Sequence, residues 1–319
     1  MIPFVGTLIG SISGRPWIGG LGVAAFAVLG LATIWPEPPP DSRLPFPTSR
    51  LSGRTSVRVA TIQYAPQFAN PIANRRQLVP LIREAAEGGA RIVVVPEAAI
   101  TGYIAEDRSE NWQRSGRPIA GEWQGKDPLK YAETVPGRST REWSTLADEL
   151  DIYLTIPFIE KADDRFFNTV CLAGPDGEIH AHYRKIHPYP DTESSWATPG
   201  DRGLQCVDTE FGRLAIAVCY DIHFLPEKYE AEQPWTLLFP TAWVDDEHPA
   251  PWFWHEMPKK AEKHGFHIVA ANWSVREPRP WRGFGFSGVM LDTGQVAATA
   301  KSLIGSEVVF ADLPTAPRR

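Results

Sequence analysis

The stretch from Val57 to Val95 constrains the fold more than any other, because it sets two strand signals around one helix signal. Val57 to Tyr64, VRVATIQY, alternates apolar or β-branched residues with polar ones, the period-2 pattern of a strand. Asn70-Pro71 then offers an N-cap with proline at the first helical position, and Leu78, Leu81, Ile82 and Ala85 share one face before Gly88-Gly89 stops the helix. Pro80 inside this window is expected to kink the helix or delay its start. Arg91 and IVVVP follow, a short continuous apolar run of the kind found in strands covered on both faces.

The unit recurs. Ser139-x-x-Glu142 reads as a capping box opening a helix with Trp143, Leu146, Ala147 and Leu150 inward, and Ile152 to Ile159 reads as the strand after it. Further strands are expected at 168–173, 179–186, 214–219, 235–239, 267–271 and 285–291, with a Pro175-Asp176-Gly177 turn and a helix carrying Phe253, Met257, Ala261 and His264. Strands alternating with helices, plus hairpins, define an α/β or mixed layered fold. At 319 residues, 43% hydrophobic and 22% charged, the chain is an ordinary folded protein with one large core or two smaller ones. A net charge of −6 and a pI near 5.8 give no basic footprint for nucleic acid.

The first 36 residues hold one charged side chain, Arg15. Residues 16–36 are long enough, at about 1.5 Å per residue, to cross a hydrocarbon core of about 30 Å, or to serve as the apolar region of a secretion signal. The expected organisation is therefore an N-terminal tail at 1–15, a transmembrane anchor or signal at 16–36, a Pro-rich linker at 37–55 and a folded domain at 56–315. Arg15 before the segment, with Glu37 and Asp41 after it, places the domain outside the cytoplasm: single-pass membrane-bound, or secreted if the leader is cleaved.

Three reactive residues stand at the ends of strand-like runs, where open α/β sheets place their chemistry: Glu97 after IVVVP, Lys185 in HAHYRKIHPYP and Cys219 ending LAIAVCYD. A thiol nucleophile needs a base for its proton and a cation for the oxyanion formed at a carbonyl, and a carboxylate and an ammonium supply them. Glu193 adds a second carboxylate. Cys171 and Cys206 are left to pair or to stay as buried thiols. His180-x-His182 and His187 lack companions at ligand spacing, so no metal is expected.

The blocks VVVPEAAITGY, YRKIHPYP and AVCYDIHFLPE, in that order, resemble the three signature blocks of the nitrilase superfamily of carbon-nitrogen hydrolases. FNTVCLAGPDGEI, FPTAW and HIVAAN support the resemblance, which covers about 57 to 312. It implies a four-layer αββα sandwich, here preceded by one N-terminal hydrophobic helix, and an enzyme that needs no cofactor. The roles it implies are Glu97 as general base, Cys219 as nucleophile, Lys185 with the Tyr220 backbone N–H as oxyanion holder, Glu193 as supporting carboxylate, and Tyr103, Trp243 and Asn272 as pocket lining. Cys219-Tyr220-Asp221 looks like the amidase branches, not the nitrilases proper, and the C-terminal half somewhat like the vanin and biotinidase branch. The implied activity is hydrolysis of a small linear amide through an acyl-thioester, in a homo-oligomer such as a dimer. Two alternatives stay open: a membrane-associated N-acyltransferase using the same three residues, and an inactive binding scaffold. The Trp112 to Lys130 stretch lengthens the Glu97 to Lys185 interval and is either a cover for the site or surface decoration.

Overall fold

The computed structural model describes residues 56–103, 127–190, 193–243, 252–276 and 285–315, all in the second of the chain's two units, 48–319. The expected anchor at 16–36, the linker and most of the 102–135 stretch lie outside the described residues. Among those described, no helix is long and apolar enough to cross a membrane.

Among the described residues, twelve strands form two six-stranded mixed sheets. The first has the order β12 (Glu307–Pro314), β1 (Ser56–Gln63), β2 (Ile92–Val94), β3 (Tyr153–Ala162), β4 (Arg165–Ala173), β5 (Ile179–Arg184). The second runs β11 (Val296–Thr299), β10 (Gly288–Met290), β9 (His267–Asn272), β8 (Thr236–Thr241), β7 (Arg213–Ile216), β6 (Cys206–Asp208). β1, β2 and β3 are mutually parallel, as are β7, β8 and β9, and of these β2, β7, β8 and β9 carry the apolar runs seen in the sequence.

The period-2 alternation of β1 sorts its side chains. Val57 and Val59 enter the core between the sheets, where the Thr61 hydroxyl donates to the Ala270 carbonyl at 2.8 Å, while Ala60 and Ile62 point to the opposite face. That outer face is covered by α1 (Pro71–Glu87) through Leu78, Ile82 and Ala85, and by α2 (Arg138–Leu150) through Trp143, Leu146 and Ala147. On the second sheet, the Met257 and Ala261 faces of α4 (Trp252–His264) pack beside β9 and β10, next to the one-turn helix α3 (Pro226–Tyr229). The result is a layered α/β sandwich.

Local chemistry departs from the sequence reading in two helices. Asn70 caps α1 by accepting from the Ala73 N–H at 3.2 Å, as expected, but Pro80 neither delays nor ends the helix. Pro80 and Arg76, whose carbonyl loses its partner, are both on the exposed side, where water substitutes. The Ser139-x-x-Glu142 capping box does not form. The helix starts earlier: the Thr140 hydroxyl accepts from the Gly137 N–H at 2.7 Å, and Glu133 accepts from the Ser139 N–H at 2.6 Å. Glu142 instead pairs with Arg138 one turn back.

Candidate active site

Three strand ends converge. Glu97 lies just past β2, Lys185 directly follows β5, and Cys219 follows β7, so the first sheet supplies the carboxylate and the ammonium and the second supplies the thiol. The strand expected at 214–219 stops at Ile216, because the chain turns into a 3₁₀ segment, Cys219–His223. Cys219 has φ 47° and Ala98, next to Glu97, has φ 48°, left-handed conformations that cost a residue with a Cβ of order 1 kcal/mol. Both reactive side chains thus sit on strained turns that depart abruptly from their strands.

Lys185 is fully buried, and its Nζ donates to Glu97 Oε1 at 2.8 Å and to Glu193 Oε2. Glu193, expected from the sequence only as a loop match, is brought in by the 3₁₀ turn Glu193–Ser195 and also accepts from the Tyr189 N–H at 2.7 Å. The other Glu97 oxygen accepts from the Ala242 N–H at 2.7 Å, a bond that ties the end of β2 to the end of β8 across the two sheets. Burial pushes the Glu97 carboxyl up to about 6; Lys185 draws it down, the Glu193 charge pushes it up, and the Lys185 and Asn168 hydrogen bonds lower it. Burial works against the Lys185 charge, yet the carboxylates of Glu193 and Glu97 outweigh it and hold the ammonium charged. The Cys219 thiol is pushed well up by burial and then by the Glu97 charge, against the opposing pull of Lys185 and the Thr241 hydroxyl. The resting sulfur is therefore a thiol, and it needs a base before it can attack.

Asn168, which the sequence offered only as part of a supporting block, is a member of the cluster. Its Nδ2 donates to Glu97 Oε1 and to Glu193 Oε1, both at 2.6 Å, and its carbonyl accepts from the Lys185 N–H at 2.8 Å. The available signal was a buried-strand asparagine inside FNTVCLA. Asp221, two residues past Cys219, is also fully buried and accepts from the Tyr183 hydroxyl at 2.5 Å and from both the backbone N–H and the ring Nδ1 of His187 at 2.9 Å. That carboxylate joins the cysteine turn to the residues flanking Lys185.

The expected pocket residues divide. Tyr220 is half-buried beside Cys219, its ring edge-on to Tyr189 at 5.2 Å and to Phe224 at 5.2 Å. Trp243 is half-buried, with His223 tilted toward it at 6.1 Å. Tyr103 packs with Phe68, Ala98, Ala242 and Trp273. Asn272 spends its side chain on the backbone, accepting from the Trp243 N–H at 2.9 Å and donating to the Gly285 carbonyl at 2.7 Å. The histidines considered for a metal have other partners: Asp176 for His180, Glu160 for His182 and Asp221 for His187. Cys171 and Cys206 are free thiols, Cys171 in the core under the helices and Cys206 against the core between the sheets.

The carbon-nitrogen hydrolase family matches residues 58–316, and with this sandwich the chain belongs to that family, the nitrilase superfamily. Human omega-amidase NIT2 is 30% identical over 272 residues, covering 81% of this chain and 89% of that protein. A nitrilase from Pyrococcus abyssi is 32% identical over 172 residues, covering 54% and 58%. Among solved structures, an amidase from Nesterenkonia sp. AN1 in complex with butyramide superposes with a TM-score of 0.64 at 22% identity, over 81% of this chain and 91% of that one. The chain is thus a carbon-nitrogen hydrolase of the amidase type.

Proposed function

We propose that this amidase-type enzyme hydrolyses a small linear amide through an acyl-thioester on Cys219. The observation that carries the reading is the buried contact of Lys185 with both Glu97 and Glu193 at the end of the sheet facing the Cys219 turn. Ionised Glu97 takes the thiol proton, and the thiolate attacks the amide carbon. The carbonyl electron pair moves onto oxygen, where the Lys185 ammonium and the Tyr220 backbone N–H stabilise it. Collapse breaks the carbon-nitrogen bond, and the leaving amine takes its proton from Glu97. Water then attacks the thioester, giving its proton to Glu97; the carboxylic acid departs and the thiol is restored. Glu193 keeps Lys185 charged and oriented throughout. Tyr220 and Trp243 border the substrate, whereas Tyr103 and Asn272 support the backbone that does so.

The test is intact-mass spectrometry of enzyme quenched during turnover of butyramide and related small amides. A butyryl adduct is expected on the native chain and none on Cys219→Ala, whose turnover is lost; turnover surviving in Cys219→Ala sinks the reading. Adding a competing amine separates hydrolysis from acyl transfer by whether free acid or a new amide accumulates. The uncharged segment 16–36 supports delivery to or across a membrane, with the enzyme acting outside the cytoplasm, which fractionation of expressing cells and N-terminal sequencing examine directly. Light scattering tests assembly as a dimer.

A further inference from the structure

Asn168 is buried in β4, at a position where a strand facing a core ordinarily carries an apolar residue. It touches three members of the cluster at once: Glu97 and Glu193 through Nδ2, and the Lys185 backbone through its carbonyl. The amide orientation follows from its surroundings. The flipped amide would set Oδ1 against two carboxylate oxygens at 2.6 Å, so the nitrogen must face them. The consequence is that Asn168 Oδ1 is buried with no hydrogen-bond partner among the described residues. A buried unpaired acceptor is costly and rarely kept without a reason. Here the reason is visible on the other side of the same amide group: two carboxylates that Lys185 alone cannot neutralise share one further donor.

We propose that Asn168 is a positioning residue of this site, its single amide nitrogen gripping Glu97 and Glu193 together and keeping Glu97 in the ionised form that takes the cysteine's proton. The assignment rests on Glu97 being the base. The groups that face Glu97 are Lys185 from the end of β5, Glu193 from its 3₁₀ turn, the Cys219 thiol from the turn after β7, and the Ala242 N–H from the end of β8. Of these, Lys185 and the Ala242 N–H favour the carboxylate and Glu193 opposes it, so losing the Asn168 donor tips the balance toward the protonated acid.

The experiment is the pH dependence of kcat/KM on a neutral amide for the native enzyme and for Asn168→Leu, with Asn168→Ser as a second variant in case leucine strains the strand. The native acid limb is expected near the value of about 6 set for Glu97. In the variants it should move up by about one pH unit, which is roughly a fivefold loss at pH 6 beyond any loss at pH 8.5. A residue that merely supports the fold lowers activity evenly across pH. Folded variants whose acid limb does not move, in an enzyme that Cys219→Ala inactivates, overturn the Asn168 assignment alone; activity retained in Cys219→Ala overturns the parent reading instead.

Discussion

Removing the Asp221 carboxylate should be costly in both stability and turnover. Four hydrogen bonds end on it: the Tyr183 hydroxyl at 2.5 Å, the His187 N–H and Nδ1 at 2.9 Å, and the Val218 N–H at 3.2 Å. Burial and the Asp221 charge push the Tyr183 phenol far up, so it remains a donor at any working pH. In Asp221→Ala, the Tyr183 hydroxyl and the Val218 N–H are buried donors without an acceptor, at about 1–3 kcal/mol each, while the half-exposed His187 recovers water. The sum is about 4 kcal/mol, or a Tm lower by about 10 °C in a domain of this size. Asp221→Asn keeps the volume and one acceptor and should cost about half as much. Val218 and Tyr183 flank Cys219 and Lys185, and these stand on different sheets, so loosening this tie lets thiol and ammonium drift apart. A displacement of about 1 Å is worth roughly a hundredfold in rate. Urea unfolding, kcat from ammonia release, and the alkylation rate of Cys219 by iodoacetamide measure the three effects. An Asp221→Ala enzyme within about 1 kcal/mol of native stability, or with native kcat, would refute the reasoning.

Gly200→Ala should fail for a steric reason: the new Cβ would lie 2.0 Å from the Arg184 carbonyl oxygen and 2.9 Å from that of Lys185. Because the Gly200 N–H also donates to the Lys185 carbonyl at 2.8 Å, the clash should lower thermal stability by about 3 kcal/mol and depress kcat more than it raises KM. Glu97→Gln should lower kcat by about 10²–10⁴ and abolish the acid limb of the native profile, in which activity rises with pH through about 6 as Glu97 ionises. Glu160→Ala should cost about 2–3 kcal/mol in urea unfolding, since it takes from the buried Arg184 the carboxylate that holds it at 2.6 Å and leaves it only Asp201 at 2.8 Å. Burial pushes Glu160 up, but bonds from His182, Arg184 and Thr169 prevail and hold it at about 2, below its ordinary 4.5. A carboxyl depressed on folding stabilises above the unfolded value, so this contribution is full above about pH 4.5 and fades toward pH 2, which acid unfolding of the native enzyme against Glu160→Ala reads out.

The central strands were legible because burial on both faces leaves a continuous apolar run, as in Ile92 to Val95 and Trp235 to Phe239. β6, β11 and β12 were not. Val296–Thr299 forms an edge strand with mixed burial, and Glu307–Pro314 alternates only from Val309 onward, with Val308 buried as well, so neither presents the clean alternation that marks a strand. The reactive trio was visible because each member closes such a run, whereas Asn168 and Asp221 act from positions whose importance lies in the partners that folding brings to them. Glu193 shows the same limit. Its residue type was evident, but only the turn that returns it to Lys185, eight residues back, makes it part of the site.

Burial, balanced by the charges within the cluster, explains why a glutamate can serve as the base at all. An isolated surface carboxylate near its ordinary value would be too weak a base to draw a proton from a thiol. Burial raises the proton affinity of Glu97 to about 6, and the charges beside it moderate that rise: Lys185 pulls the value down more than Glu193 pushes it up, so the carboxyl is lifted without being locked in its protonated form. The opposite extreme is equally unproductive: without Lys185 the pair would hold its proton at neutral pH, leaving no base to start the reaction. Cys219 gains from the same balance. Once Glu97 has taken its proton, the carboxylate charge that disfavoured the thiolate is gone and the Lys185 charge that favours it remains. Burial still disfavours the thiolate, but proton transfer removes the largest opposing charge, so the thiol can rest neutral and still be mobilised when an amide arrives.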